Sequence, residues 1–448
     1  MPIESARCQA IFDQVVDAAR TLGVAGAEAI LTAECSALTR FANNAIHQNV
    51  SERNTQLSVR AVIGGRTARA STNRLDRERI RRVVEQAIAI TRLTESDPEL
   101  QPLAEPAAYP EVNRWFASTA GATPLERARA VAEAIGAVEA AGQTAAGIYS
   151  TEESCFALLN SRGVNARYRE TTARFSITAM AGDSSGWAKA GACDRRDLNP
   201  LELARTAARK ASQSSAPREL PAGRYTVILE PAAVLDLAGQ MFADFSATAI
   251  REGRSFLNDR IGKKVFGGNI TIHDDACHPL QSGAPFDGEG VPRRRLTLVD
   301  GGVVRDIAYS RHAAALAGAA PTGHGFPLPN DYGETPANIV IAGSDSSVEA
   351  MLASTERGIL VTRFWYIREV DPYEKIFTGM TRDGTFLVEG GRVTAGIRNL
   401  RFNQGLVEML SNVESLSAAV RASGEETFDM VVPAMKVRDF NFTEVTRF

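Results

Sequence analysis

The sequence predicts an α+β protein of two domains. An N-terminal antiparallel sheet with helices is expected over residues 1–218, and a strand-rich, barrel-like mixed sheet over 219–448. Three observations carry this. Helical and strand periods fall in separate blocks and do not alternate as βαβ units. Glycine-rich hairpin signals recur at Gly64-Gly65, Asp300–Gly302, Asp383-Gly384 and Gly390-Gly391. A polar stretch with two prolines, SQSSAPRELPAG (212–223), separates the halves.

Each element has a local reason. Ile11, Phe12, Val15 and Val16 make one apolar face in an N-terminal helix. Residues 27–72 read as a meander, with Leu57, Val59, Ala61 and Ile63 alternating and turns expected at Asn43-Asn44, Glu52–Asn54 and Gly64-Gly65. From Asp76 to Arg92 the period becomes helical, with Ile80, Val83, Val84, Ala87 and Ile88 on one side. Thr123-Pro124-Leu125-Glu126 and Asn199-Pro200-Leu201-Glu202 are helix starts: a capping side chain, proline at the first position, and glutamate three after the cap. Strands occupy about 145–182. In the second half, a strand at Tyr225–Leu229 leads into an amphipathic helix at Glu230–Phe245. Strands then dominate, with short helices near 347–355 and 404–412 and a last strand at Val431–Val437.

Composition narrows the function. The 448 residues are 44% hydrophobic and 23% charged, as in ordinary globular proteins. A net charge of -3 gives no general attraction to nucleic acid or anionic lipid. The five cysteines are scattered, which fits a reducing compartment and neither a disulfide framework nor a zinc ribbon. With no signal-like apolar region and no run of about 18 apolar residues, a cytoplasmic protein is expected, without membrane or nucleic-acid partners.

The chemistry-bearing residues concentrate between Ser255 and Gly325, which holds four of the five histidines. HDDACH places His273, Asp274, Cys277 and His278 close together, all possible metal ligands, but at a strand end and a turn. No histidine is followed by glutamate, so H-E-x-x-H is missing; so are G-x-S-x-G, a Walker loop and a dinucleotide fingerprint. Arg293-Arg294-Arg295 can hold a phosphate or carboxylate, or can form a solvated strand face. His324 sits between glycines in a loop suited to close backbone approach. Arg363 alternates with aromatics in VTRFWYIREVDP, and Arg398 and Asn399 follow in IRNLRFNQ.

Those blocks, taken in order, resemble one family. SFLNDRIGKKVF, ITIHDD, PFDGEG, RRRLTLVDGGVVRDIAYS and TGHG are followed by GILVTRFWYIREVDP, TGMTRDGTFLVEGG, IRNLRFNQ and VPAMKVRDFNFT. Together with the NNAIHQNVSERNTQ meander they are similar to the TldD/PmbA family, also called TldD/TldE or "modulator of DNA gyrase" proteins. The resemblance implies a cytoplasmic two-domain metallopeptidase, built as a TldD–TldE heterodimer, acting on unfolded peptides or peptide precursors. In the TldD subunit it implies zinc held by an H-E-x-x-x-H helix and a cysteine near the C-terminus. Here the matching helix, LDLAGQMFADFSATAIREGR (235–254), has no histidine, and the matching region RASGEETFDMVVP has no cysteine. The resemblance is therefore to the TldE subunit.

The expectation is a non-catalytic TldE-like chain that shapes a chamber and binds peptide. It would pair with a TldD-like subunit, a homodimer being the alternative. No cofactor is expected in this chain, and zinc is expected in the partner. His324, Arg363, Arg398 and Asn399 are the candidate substrate-binding residues, and no catalytic or metal residue is assigned. The alternatives are a hydrolase with a relocated site at His273, Asp274, Cys277 and His278, or a non-enzymatic modulator that binds other proteins.

Overall fold

A computed structural model describes residues 3–446. The first half is one six-stranded antiparallel sheet with helices on one face. Its elements are α1 (Ser5–Thr21), β1 (Gly26–Ala42), β2 (Ala45–Ile63), β3 (Arg66–Thr72), α2 (Arg77–Leu93), α3 (Ala117–Ala120), α4 (Pro124–Glu139), β4 (Thr144–Asn160), β5 (Asn165–Ala181), β6 (Ser184–Ala192) and α5 (Pro200–Gln213). The strand order is β3-β2-β1-β4-β5-β6. The capping grammar holds: Thr123 and Glu126 close a capping box, Asn199 caps α5 and Asp76 caps α2.

The odd-numbered side chains of β4, such as Tyr149, Ala157 and Leu159, face the helices. Those helices bury Ile11, Val15, Ile80, Val84, Val131 and Val138. The even-numbered face, with Leu158, Ala166 and Tyr168, meets Phe286 from the second half. One expected turn is absent. Glu52–Asn54 pairs continuously with Cys35 and its neighbours, Glu52 opposite Ser36 and Asn54 opposite Glu34. Their polarity marks an exposed ribbon edge and no reversal of the chain.

The second half contains β7 (Gly223–Leu229), α6 (Pro231–Ala238), α7 (Ala247–Arg251), β8 (Ile272–Asp274), β9 (Leu296–Asp300), β10 (Val303–Val304), α8 (Arg311–Ala317), β11 (Ile339–Ile341) and α9 (Val348–Ala353). It continues with β12 (Arg357–Asp371), β13 (Ile376–Glu389), β14 (Arg392–Gly396), β15 (Leu400–Gly405), α10 (Leu406–Ser411), β16 (Val413–Leu416), β17 (Val420–Ala422), β18 (Met430–Val432) and β19 (Met435–Val445). Strands β12, β7, β19, β15 and β13 close into a five-stranded barrel, because β13 pairs back to β12. A second mixed sheet runs β10-β9-β8-β11-β18-β17. Phe364, Phe402 and Phe440 cluster in the core at centroid distances of 4.8–5.7 Å.

Three local expectations change here. The α-helix from Glu230 stops at Ala238 and tightens into a 3-10 turn over Gly239–Phe245. Residues 233–238 are all buried, so it is a core helix and not an amphipathic one. Asp383-Gly384 is a bulge inside β13: both have positive φ (51° and 127°), and register shifts between Val361 and Arg363. The final strand is two, β18 and β19, separated by Pro433, which has no N–H to donate.

Candidate substrate-binding cleft

The PFDGEG turn is knotted by its own aspartate. Asp287 Oδ1 accepts the N–H groups of Glu289 and Val291 at 2.9 Å, and Oδ2 accepts the N–H of Gly325 at 2.8 Å. The turn thereby grips the TGHG loop. The glycines are required by contact: a Cβ on Gly325 would lie 2.2 Å from Glu289 Oε2, and one on Gly323 (φ +79°) 2.3 Å from the Pro292 carbonyl oxygen. His324 is fully buried behind this loop. Its Nδ1 is 2.9 Å from Thr322 Oγ1, and its Nε2 is 3.0 Å from Asp274 Oδ1, at ion-pair distance but out of hydrogen-bond alignment. Asp274 Oδ2 accepts the N–H groups of Ala337 and Asn338 at 2.7 and 2.8 Å. Burial works to raise the Asp274 carboxyl, yet His324, Arg293 and those N–H groups bring it below the usual carboxylate range.

These loops face the even side of the N-terminal sheet across a cleft of ≈ 1190 Å³. Glu34, Phe156 and Glu170 line it from the sheet, and Phe286, Arg293 and His324 from the loops. Residues 53–56 of β2 form one wall. Because β3 pairs only with residues 57–63, residues 45–56 of β2 pair with β1 alone and leave an open strand edge beside the cleft. The carboxylates underneath hold protons unusually well. Burial, then the charge of Asp287, pushes Glu289 up to about 8, and burial also raises Asp287.

Of the four residues the sequence singled out, His324 alone lines this cleft. Arg363 is buried elsewhere: its Nε donates to Asp383 Oδ2 at 3.1 Å, and its guanidinium lies 5.1 Å from the Trp187 ring and 5.3 Å from the Trp365 ring. It thus fastens β12 to β6. Arg398 is half-exposed and 3.3 Å from Glu219. The Asn399 side-chain oxygen accepts from the hydroxyls of Thr381 and Thr385, fixing the barrel's β13. The histidines of HDDACH do not converge: His278 Nδ1 accepts from the Leu280 N–H, and among the described residues no three His, Cys, Asp or Glu side chains are grouped to hold a metal. Sequence reasoning missed Asp287, Glu289 and the β2 edge. The signal available was acidic residues alternating with glycines in DGEG.

A second junction joins α6 to the 422–427 segment. Asp236, fully buried, accepts the N–H groups of Phe364, Glu425 and Glu426 at 3.2–3.3 Å. Burial nevertheless pushes its carboxyl up to about 6. The junction is tight: a Cβ on Gly424 would be 2.2 Å from Asp236 Oδ1, and one on Gly239 2.6 Å from Thr427 Oγ1. Asp244 is committed as well, paired with Lys375 at 2.6 Å.

Residues 27–91, 119–214 and 222–444 match, in turn, the models of PmbA/TldA metallopeptidase domain 1, the central domain and the C-terminal domain. The chain belongs to the PmbA/TldD family. A metalloprotease of Methanothermobacter thermautotrophicus is 25% identical over 61% of this chain and 62% of the relative. A metalloprotease TldD homolog of Buchnera aphidicola (from Acyrthosiphon pisum) is 25% identical over 48% of this chain and 43% of the relative. The matched region is thus under two thirds of either relative's length. The TldE crystal structure from Thermococcus kodakarensis superposes with a TM-score of 0.87 at 19% identity, covering 97% of this chain and all of that one. A "putative modulator of a DNA gyrase" from Thermotoga maritima gives 0.85 at 20% identity, again covering 97% of this chain and all of that one. These structures share the fold.

For a PmbA/TldD chain, the α6 junction is where the sequence resemblance placed the zinc-binding segments. The residues present do not fit a zinc ion. Zinc sites are built from three or four converging His, Cys or carboxylate donors. Here α6 and its 3-10 extension offer Asp236 and Asp244, the first held by backbone N–H groups and the second by Lys375. At Gly239 and Gly424 the packing between the segments does not admit even an added Cβ.

Proposed function

We propose that this chain is a TldE-like, non-catalytic subunit of a TldD/TldE-type metallopeptidase, and that it cradles unfolded peptide in the cleft between its halves. The observation that carries the reading is the α6 junction, where Asp236 is consumed by three backbone N–H groups and, among the described residues, no three His, Cys, Asp or Glu side chains are grouped to hold a metal. Bond cleavage then belongs to a TldD-like partner that brings the zinc. The described residues contain no helix long and apolar enough to cross a membrane, and the reading places the complex in the cytoplasm.

The cleft supplies what an extended peptide needs. The open edge of β2 offers main-chain donors and acceptors in strand register, and the half-buried Phe156, backed by the buried Phe286, offers apolar surface to a peptide side chain. Main-chain pairing takes unfolded segments of varied sequence and leaves folded proteins out, because a folded chain has already paired its backbone.

The test measures zinc content and peptidase activity of the purified chain alone and after mixing with a TldD-like subunit carrying an intact H-E-x-x-x-H. The chain alone is expected to hold well under one zinc per molecule and to cleave no peptide, and activity is expected with the pair. Stoichiometric zinc together with robust cleavage by the chain alone would refute the reading. Activity from a self-associated form of this chain would point to the homodimer and would also exclude a purely supporting role.

A further inference from the structure

We propose that Arg293 forms a carboxylate-binding subsite in the cleft, so that bound peptide is anchored by an acidic group; this rests on the peptide-cradle reading. Arg293 belongs to a triplet whose other members behave as surface. Arg294 and Arg295 are exposed, and Arg295 lies 3.4 Å from Asp275. Arg293 is partly buried and lines the cleft. Its side chain makes no hydrogen bond or ion pair with any described residue, and Nη1 is wholly removed from solvent without a partner.

A desolvated guanidinium carries five N–H donors and a fixed charge, so leaving it unmatched is costly. The nearby carboxylates do not match it. Asp287 is taken by three N–H groups, and Asp274 by two N–H groups on Oδ2 while its Oδ1 lies at ion-pair distance from His324. Those two carboxylates interact with its charge through space without occupying the fork. Meanwhile the backbone of Arg293 is rigidly placed. Its N–H donates to the Pro285 carbonyl at 2.9 Å, the next N–H donates to the Thr322 carbonyl at 3.0 Å, and Gly323 packs directly on its Cα. A preorganised, unpaired guanidinium on the wall of a peptide-sized cleft suits the planar two-oxygen geometry of a carboxylate. That group is either the C-terminus of a peptide or an acidic side chain within it.

The experiment uses fluorescence anisotropy of the intact protein with a labelled decapeptide of Gly, Ala and Ser containing one Phe. Three forms are compared: free carboxyl terminus, C-terminal amide, and the amide with one internal Glu. The free acid is expected to bind about tenfold more tightly than the amide. Arg293→Gln should remove that preference, Arg293→Lys should retain part of it, and Arg295→Gln should leave it intact. Recovery of tight binding by the internal Glu identifies a side-chain source, and failure to recover identifies the terminus. Should Arg293→Gln unfold, judged by circular dichroism, competition by acetate against the free acid on the unaltered protein decides instead. Equal binding of acid and amide, or a preference that survives Arg293→Gln, overturns the subsite while the cradle stands. Binding of none of the three forms overturns both.

Discussion

Replacing Asp236 by asparagine should change stability with a sign that depends on pH. Burial lifts this carboxyl from 3.8 to about 6. At about 1.4 kcal/mol per pH unit, the folded state then carries a charging cost of about 3 kcal/mol at neutral pH. The sign follows from the direction. A raised carboxyl contributes stability that is fully present below 3.8 and lost as pH rises through about 6. The asparagine side chain does not titrate. It can keep one oxygen toward the Glu425 and Glu426 N–H groups, but its amide nitrogen then faces the Phe364 N–H, leaving one buried donor unpaired at a cost of about 1–3 kcal/mol. The desolvation relief and the lost acceptor are therefore of similar size near pH 7 and separate below it. Asp236→Asn is expected to be destabilising by about 2 kcal/mol at pH 4 and close to neutral at pH 7. Urea denaturation of both proteins at pH 4, 5, 6 and 7 measures this. A stability difference that stays constant across that range would refute the reasoning, since it would mean that Asp236 does not titrate there as a buried, backbone-held acid.

Two further perturbations address the cleft. Glu289, raised by burial and Asp287 to about 8, also contributes stability below 4.5 that is lost as pH rises through about 8. Glu289→Gln should flatten the fall in melting temperature between pH 5 and 8, and an unchanged slope would contradict the assignment. Gly325→Ala should cost about 1–3 kcal/mol, because its Cβ meets Glu289 Oε2 while the loop is held by the Gly325 N–H to Asp287 and the Gly288 N–H to the Gly325 carbonyl at 2.9 Å. Equilibrium denaturation checks this, and a loss below about 0.5 kcal/mol would show that the two loops are not interlocked.

The sequence by itself determined the features set within a few residues. The α+β class, the caps of α2, α4 and α5, and the turns at Asn43-Asn44, Gly64-Gly65, Gly301-Gly302 and Gly390-Gly391 follow from local periodicity, capping side chains and positive-φ residues. Asp383-Gly384 shows the limit. The same dipeptide chemistry serves a hairpin or a bulge, and pairing with β12 across the barrel selects the bulge. The site was legible only in outline. His324 was marked by its flanking glycines, but its burial against Asp274 depends on a contact between segments far apart in the chain. Asp236 meets Glu425 across 189 residues. Arginine and amide side chains read alike in a sequence whether they face a ligand or an internal acceptor: Arg363 meets Asp383 and Asn399 meets Thr381 and Thr385, while Arg398 stays half-exposed beside Glu219. Only the tertiary structure decided which polar groups were already satisfied, and so left Arg293 and the edge of β2 open. Satisfaction of a charge is a property of everything packed around it, and that neighbourhood is assembled from distant parts of the chain.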